Sequence, residues 1–194
     1  MKLMNTKRQL VAIPIRWFGK YDPSVVRSLR EAGFRVKLNT TGKRIAGRSL
    51  AKFIQGAVGV IAGTEPYTRE ILSEARDLRV ISRVGSGVDN IDIDYAKQRK
   101  IKVCVTSSEW LFDAVAEHAL TLMLAVLKKV TIYDQNVRQG NFEKLPGEML
   151  RGKTVGIVGF GRIGRRTAKL CSCFGAKILV YDPYVKPPRN GRYV

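Results

Sequence analysis

Residues 154–182 read TVGIVGFGRIGRRTAKLCSCFGAKILVYD, and this stretch decides the fold of the second half of the chain. A run rich in β-branched residues leads into three glycines with the spacing G-x-G-x-x-G. A helical pattern follows over 162–175, and a second apolar run, 177–182, ends on an acid. The glycines alone are a weak signal, because glycines cluster by chance. Their place between a strand and a helix predicts a strand–turn–helix–strand unit, the first βαβ portion of a Rossmann domain.

Each residue type in this unit has a physical role in binding a dinucleotide. Gly159 permits the tight turn, Gly161 lets a pyrophosphate approach the backbone, and Gly164 lets the helix pack closely against the strand. The phosphate charge then faces the N–H groups at the helix N-terminus. Asp182 stands eighteen residues after Gly164. Its carboxylate would accept hydrogen bonds from the adenosine ribose and repel a 2′-phosphate, which favours NAD over NADP.

Two alternatives stay open at this motif. The turn could serve packing alone, with Asp182 a solvated aspartate. Arg162, directly after the second glycine, could meet the pyrophosphate or be solvated.

The first hundred residues alternate strand-like and helix-like patterns. This rhythm predicts an α/β domain with a parallel sheet covered by helices on both faces. We predict a first domain over 1–105 and a second over 106–194. The expected strands are 10–15, 34–40, 58–63, 78–85 and 101–106, and the expected helices are 24–33, 49–57, 68–75 and 93–100.

A long helix is predicted over 113–129, with Asp113 as its N-cap. This helix is apolar nearly all round, which is typical of a helix buried between domains or in a subunit interface. Residues 134–150 favour an irregular connection. The last stretch, 183–194, has three prolines and no apolar periodicity, so we expect a loop or disorder there.

The net charge of +19 is unusual and sits at the two ends of the chain. Residues 1–50 carry 12 Lys and Arg against 2 acids, and residues 151–194 carry 10 against 1, whereas 51–150 are balanced. A basic face can bind nucleic acid. Nucleic-acid binding is nevertheless not expected, because no helix-turn-helix, zinc-finger or RNA-recognition pattern accompanies the charge.

The cysteines and the apolar runs exclude other classes. Cys104, Cys171 and Cys173 lack the spacing of a zinc site, so we expect no metal and three reduced, mostly buried thiols. The longest apolar run, 119–127, is shorter than the roughly 20 residues that cross a bilayer. No cleavage site for a secretory signal follows the N-terminus. We therefore expect a cytoplasmic protein without membrane contact.

Three motifs together resemble the D-isomer-specific 2-hydroxyacid dehydrogenases, the family of phosphoglycerate dehydrogenase, glyoxylate/hydroxypyruvate reductase and D-lactate dehydrogenase. They are GFGRIGRRTAKLCSCFGAKILVYDPY (159–184), ISRVGSGVDNIDIDYAKQRKIKV (81–103) and SSEWLFDAVAEHALTLMLAVLKK (107–129). The likeness covers essentially the whole chain in the family's order. It implies a flavodoxin-like substrate domain followed by a Rossmann NAD-binding domain.

The resemblance also implies roles for single residues. Ser86 and Gly87 match the family's loop whose backbone N–H groups bind the substrate carboxylate, a loop that also borders the cofactor. Val115 matches a contact to the nicotinamide half of NAD. The remaining cofactor-binding positions that match are Gly159, Gly161, Arg162, Ile163, Gly164 and Asp182. One departure is Ser108, where many relatives have proline, so this turn is expected to be looser.

The resemblance implies catalysis by an arginine, a glutamate and a histidine that follow later in the family's sequence. The single histidine here, His118, stands beside Glu117, but adjacent helical residues point about 100° apart. We expect a partly buried structural histidine and assign no catalytic residue. The chain is thus expected to be an N-terminal fragment, truncated within the NAD-binding domain and inactive alone. A full-length relative would oxidise or reduce a small 2-hydroxy or 2-keto acid with NAD.

A different class of function stays open. The chain could be a non-catalytic NAD-binding or oligomerisation module, since the family includes NAD-responsive corepressors. The expected partners are a second copy, docked through 113–129, or a complementing C-terminal fragment.

Overall fold

The structure is a computed structural model that describes residues 9–106 and 109–185. The chain divides into two compact units, residues 1–107 and residues 108–194. They are called unit 1 and unit 2 below.

Unit 1 alternates strands and helices throughout its described length, as the sequence predicts. The elements are β1 Leu10–Ile13, α1 Ser24–Glu31, β2 Arg35–Leu38, α2 Gly47–Ile54, β3 Ala57–Ala62, α3 Arg69–Glu74, β4 Val80–Arg83, α4 Ile93–Gln98 and β5 Lys102–Val105. Eight of these nine elements are shorter than predicted by one to four residues, because local pattern says least about element ends, and β3 has the predicted length but begins one residue earlier. All five strands are parallel, in the order β2-β1-β3-β4-β5.

Helices cover both faces of this sheet. On one face the helices α2, α3 and α4 bury Leu50, Leu72 and Ala96 against the strands. On the other face Leu29 of α1 packs against Ile13 and its neighbours. The α/β class with a flavodoxin-like sheet is therefore confirmed.

The strand order places a crevice at the carboxyl ends of the strands, between β1 and β3. The chain first moves from β1 outward to β2, and then returns across β1 to β3. The loops that leave the carboxyl ends of β1 and β3 therefore run in opposite directions. In open parallel sheets this reversal point is where ligands bind.

Unit 2 contains two helices followed by the predicted βαβ portion of a Rossmann fold. The two strands are parallel, and Thr154–Val158 pair residue by residue with Lys177–Tyr181. The elements are α5 Glu109–Leu127, α6 Val130–Arg138, β6 Thr154–Val158, α7 Arg162–Cys173 and β7 Lys177–Tyr181.

One face of the β6–β7 pair is packed and the other is exposed. Leu120 of α5, Ala168 of α7 and Ile178 of β7 share one core. On the opposite face Val158 is 86% exposed and Tyr181 is 66% exposed. Strand alternation places every second side chain on this exposed face, which includes Leu179 at 48% exposure as well as the polar Thr154 and Lys177.

Two predictions for the helices of unit 2 were wrong. Asp113 is not an N-cap, because α5 begins four residues earlier at Glu109, and the Asp113 carboxylate instead accepts a hydrogen bond from Arg166 on α7. The expected irregular connection over 134–150 overlaps α6, which runs to Arg138. Lys129 adopts a left-handed conformation, φ +53°, which separates α5 from α6.

Predictions of burial were also wrong at several side chains. His118 is exposed rather than partly buried, because α5 buries the face of Phe112, Ala116 and Leu120. Among the cysteines only Cys171 is buried, whereas the other two are exposed. Ser108 and residues 186–194 lie outside the described part of the chain, so the expectations for that turn and for most of the C-terminal stretch stay predictions.

Among the described residues, α5 is long and apolar enough to cross a bilayer by length and composition. The core helix of a soluble protein meets the same criteria. The buried side chains of α5 pack against α7 and the β6–β7 pair.

Candidate dinucleotide site and substrate cleft

The three glycines of the turn after β6 differ in conformation and in surroundings. Gly159 has a φ of +96°, which L side chains rarely adopt. A Cβ on Gly164 would lie 2.1 Å from the carbonyl oxygen of Gly159, so only glycine lets α7 approach this closely. Gly161 has neither constraint, and nothing lies within 4 Å of where its Cβ would be. The missing side chain at Gly161 therefore leaves open space beside the backbone.

The N-terminus of α7 opens onto this space. Gly161 is the N-cap, no side chain caps the helix, and no acid occupies its first turn. The first N–H groups of a helix have no acceptor within the helix and carry a partial positive charge. This end of α7 is thus suited to an anion.

The two side chains at the start of α7 differ in surroundings. The Arg162 guanidinium lies over the ring of Phe112, with 5.2 Å between the guanidinium carbon and the ring centroid. Ile163 is 38% exposed. Val115 on α5 is also partly exposed, at 42%.

Asp182 directly follows β7 and connects it to the glycine turn. Its Oδ2 accepts a hydrogen bond from Phe160 N at 2.6 Å, and its Oδ1 accepts from Tyr184 N at 2.8 Å and Val185 N at 2.9 Å. The backbone donors, Phe160 first and Tyr184 next, hold the pKa of this carboxyl below its ordinary value, and the charge of Arg165 adds to the effect. The ionised carboxylate keeps lone pairs for further donors.

These features fit the adenosine and pyrophosphate part of a dinucleotide. The open space at Gly161 admits a pyrophosphate, the α7 N-terminus favours its charge, and Asp182 offers acceptors for ribose hydroxyls. The role of Asp182 in fastening the turn to β7 was not foreseen from the sequence. The sequence predicted only that Asp182 ends a strand.

In unit 1 the predicted substrate residues lie in the loop after β4. Ser86 and Gly87 are both exposed. The loop is held by Asn90, whose Nδ2 donates to Gly63 O at 3.1 Å and Glu65 O at 2.7 Å. The loops after β3 and β4 are therefore fastened together at the carboxyl end of the sheet.

A cleft of about 190 Å³ lies at the same end of the sheet. Arg16, Arg44, Arg83 and Glu65 line it, each from a loop or strand end at the carboxyl edge. Sequence reasoning missed all four. The sequence did contain a signal for this cleft, because a charged residue stands at or shortly after the carboxyl end of each of four strands. Arg16, Arg44 and Glu65 follow β1, β2 and β3, and Arg83 is the last residue of β4.

Two buried polar atoms close to this cleft have no hydrogen-bond partner among the described residues, Tyr67 Oη and Arg83 Nε. Burial raises the pKa of Tyr67, and the negative charge of Glu65 raises it further, whereas Arg83 lowers it. The three side chains thus influence one another electrostatically. Within residues 9–106 and 109–185, no group of three or more potential metal ligands occurs.

The geometry first defines a class of protein. A doubly wound parallel α/β unit is joined in sequence to a βαβ unit whose glycine turn, helix N-terminus and strand-end acid suit a dinucleotide. This combination is typical of nicotinamide-dependent dehydrogenases.

Comparison with known proteins identifies the family. Residues 120–193 match the family model "D-isomer specific 2-hydroxyacid dehydrogenase, NAD binding domain". The chain is 43% identical over 183 residues to D-3-phosphoglycerate dehydrogenase of Archaeoglobus fulgidus, covering 93% of this chain and 33% of that protein. It is 37% identical over 150 residues to hydroxypyruvate reductase of Thermotoga maritima, covering 76% and 49%.

A solved structure agrees with these relatives. NAD⁺-bound 3-phosphoglycerate dehydrogenase of Entamoeba histolytica is similar with a TM-score of 0.71 and 28% identity, covering 97% of this chain and 57% of that chain. The chain belongs to the D-isomer-specific 2-hydroxyacid dehydrogenase family, and unit 2 contains the whole stretch that matches its NAD-binding domain. It spans about a third of the length of the Archaeoglobus relative.

Proposed function

We propose that the protein is an NAD-dependent oxidoreductase that acts on a small 2-hydroxy or 2-keto acid of the phosphoglycerate, hydroxypyruvate or glyoxylate type. Unit 1 would bind the acid, and unit 2 would bind the adenosine and pyrophosphate part of NAD. The main support is the uncapped N-terminus of α7, which faces open space at Gly161 and is tied to Asp182 through Phe160 N.

The residues of this chain would bind and orient the reactants. NAD, when bound, supplies or accepts the hydride. The backbone N–H groups of Ser86 and Gly87 would hold the substrate carboxylate, because an exposed glycine loop lets an anion approach the backbone. Val115 and Ile163 would provide apolar contacts for the cofactor, and Arg162 would lie near the pyrophosphate.

Binding of nucleotides to the full chain tests this proposal. We expect ADP-ribose and NAD to bind with similar affinity, and 2′-phosphorylated NADP to bind more weakly, because the Asp182 carboxylate repels the extra phosphate. Gly161→Ala should weaken binding of ADP-ribose by filling the open space, without lowering the free energy of unfolding. Calorimetry measures the first effect and urea denaturation the second.

The matched control is Gly156→Ala. Gly156 lies in β6, with nothing within 4 Å of an added Cβ. This variant should bind ADP-ribose like the parent chain. Equal binding of NADP and NAD by the parent chain would contradict the assigned role of Asp182.

A second candidate is a non-catalytic NAD-binding or oligomerisation module. It is supported by the apolar side chains on the outer side of α5, where Leu122 is 53% exposed and Val126 is 76% exposed. Its partner would be a second copy bound through 113–129, or a C-terminal fragment that complements the chain. Turnover upon addition of a polypeptide with the rest of the NAD-binding domain would favour the dehydrogenase. Association without turnover would favour the module.

A further inference from the structure

Glu65, in the cleft of unit 1, is a buried carboxylate whose hydrogen bonding is incomplete. The residue is only 5% exposed. Oε2 accepts a hydrogen bond from Gly63 N at 2.8 Å. Among the described residues, Oε1 has no donor, and no lysine or arginine forms an ion pair with either oxygen. Because Glu65 lines the cleft, this unused acceptor can be reached by a ligand that enters it.

The surrounding backbone holds this carboxylate in place. Asn90 fixes the loop after β3 through its two hydrogen bonds to Gly63 O and Glu65 O. A Cβ on Gly63 would lie 2.9 Å from Ile15 Cγ1 and 3.0 Å from Glu65 Oε2. Glycine at this position therefore lets the carboxylate lie directly against the backbone at the cleft wall.

The arginines of the cleft bind the rim instead of neutralising Glu65. Arg44 Nη2 donates to Thr64 O at 2.6 Å, and Arg83 donates to Val84 O. Arg16 is exposed at the same opening. The cleft is thus bipolar, with three guanidinium groups that attract an anion and one carboxylate that accepts hydrogen bonds.

We propose that Glu65 determines substrate specificity by accepting a hydrogen bond from a hydroxyl group on the carbon beyond C2 of the acid. This inference rests on the proposed function and deepens it. The acid's carboxylate would be held by the arginine rim and the loop at Ser86 and Gly87. A phosphate at the distal carbon would not fit Glu65, because a phosphate dianion has no proton to donate and its charge would oppose the carboxylate. The preferred substrates are therefore hydroxylated acids of the glycerate and hydroxypyruvate kind.

Three acids distinguish these possibilities on the full chain. D-glycerate carries the distal hydroxyl, D-lactate lacks it, and 3-phospho-D-glycerate replaces it with a phosphate. We expect glycerate to bind roughly tenfold more tightly than lactate, the size of one hydrogen bond to a charged acceptor. 3-Phosphoglycerate should bind no more tightly than lactate. Calorimetry measures the affinities, and NMR shifts of the amides at 85–87 locate the binding.

Two variants distinguish the hydrogen bond that Glu65 accepts from the general attraction of the arginines for anions. Glu65→Gln removes the charge and adds a donor, so glycerate should lose most of its advantage and 3-phosphoglycerate should gain roughly tenfold. Arg44→Gln is the control, because it removes positive charge from the rim. It should weaken all three acids while the ratio of glycerate to lactate stays the same.

A second test changes the ligand instead of the protein, so it does not require that a Glu65 variant folds. 3-O-methyl-D-glycerate keeps the distal oxygen but cannot donate a hydrogen bond, so it should bind like lactate. Equal affinities for glycerate and lactate, or tightest binding of 3-phosphoglycerate, would overturn the role of Glu65. If none of the acids shifts the amides at 85–87, the substrate loop of the proposed function fails, whereas binding of ADP-ribose to unit 2 tests the cofactor site separately.

Discussion

At the scale of single residues, the three glycines of the turn after β6 have different physical roles. Gly159 is needed for its positive φ, Gly164 for the close approach of α7, and Gly161 for the space beside it. The first two requirements concern folding, and the third concerns the proposed dinucleotide. Substitutions at these positions should therefore have separable effects.

Gly164→Ala should destabilise unit 2. The added Cβ would lie 2.1 Å from the carbonyl oxygen of Gly159 and 3.1 Å from its carbonyl carbon, and both are backbone atoms that cannot rotate away. Such overpacking costs about 1–3 kcal/mol. Urea denaturation followed by circular dichroism measures the loss, and Gly156→Ala in β6 serves as the control. A Gly164→Ala chain as stable as the parent would mean that α7 does not pack this closely.

Asp182 should make the stability of unit 2 depend on pH in the acid range. Hydrogen bonds from Phe160 N and Tyr184 N lower the pKa of Asp182 in the folded state. A lowered pKa stabilises the fold above the unfolded-state pKa of about 3.9, and this stabilisation is lost as the pH falls through the folded-state pKa. Asp182→Asn should therefore be less stable than the parent at pH 7, and the difference should shrink below pH ~4. Denaturation midpoints between neutral and acid pH measure this, and a constant difference would count against it.

At the scale of elements, α5 has one face that packs within unit 2 and one face that is exposed. Leu120, 8% exposed, belongs to the core with Ala168 and Ile178, whereas Leu122, two residues later, is 53% exposed. The apolar character of the whole helix hides this difference in the sequence.

Leu120→Ala and Leu122→Ala should separate folding from association. Leu120→Ala removes a buried side chain and should lower the free energy of unfolding by about 2–5 kcal/mol. Leu122→Ala should change it by less than about 0.5 kcal/mol, as is usual for an exposed site. If the outer face of α5 binds a second copy, as proposed, Leu122→Ala should weaken the dimer in analytical ultracentrifugation. Equal loss of stability in both variants would show that both faces are packed in the folded chain.

At the scale of the whole molecule, binding and turnover should be separable. The 194 residues supply a candidate cleft for the acid and a candidate site for the adenosine side of the cofactor, but we assign proton transfer to none of them. We expect no steady oxidation of NADH with hydroxypyruvate, glyoxylate or phosphohydroxypyruvate, because loss of proton-transfer catalysis alone costs roughly 10²–10⁴-fold. Absorbance at the NADH band measures this. Turnover that survives purification and is abolished by His118→Ala would reverse the assignment of that exposed histidine.

The sequence by itself determined the order of elements and the glycine turn. Several of the features are local, because each depends only on residues close by in the sequence. They are the strand and helix patterns, the positive φ at Gly159 and the acid after β7. The family resemblance followed from the same local motifs. For that reason the five-stranded parallel sheet and the βαβ unit were predicted close to their observed bounds.

Only the tertiary structure decided which side chains are buried and which meet. Glu65 and Arg83 stand eighteen residues apart, and Arg16 lies further away still, yet the parallel sheet brings them to one cleft. Asp182 meets Phe160 N because β6 and β7 pair in register, and His118 is exposed because α5 packs through its other face. Burial and hydrogen bonding across the chain depend on how elements pack, and the pattern within a single element does not contain that information.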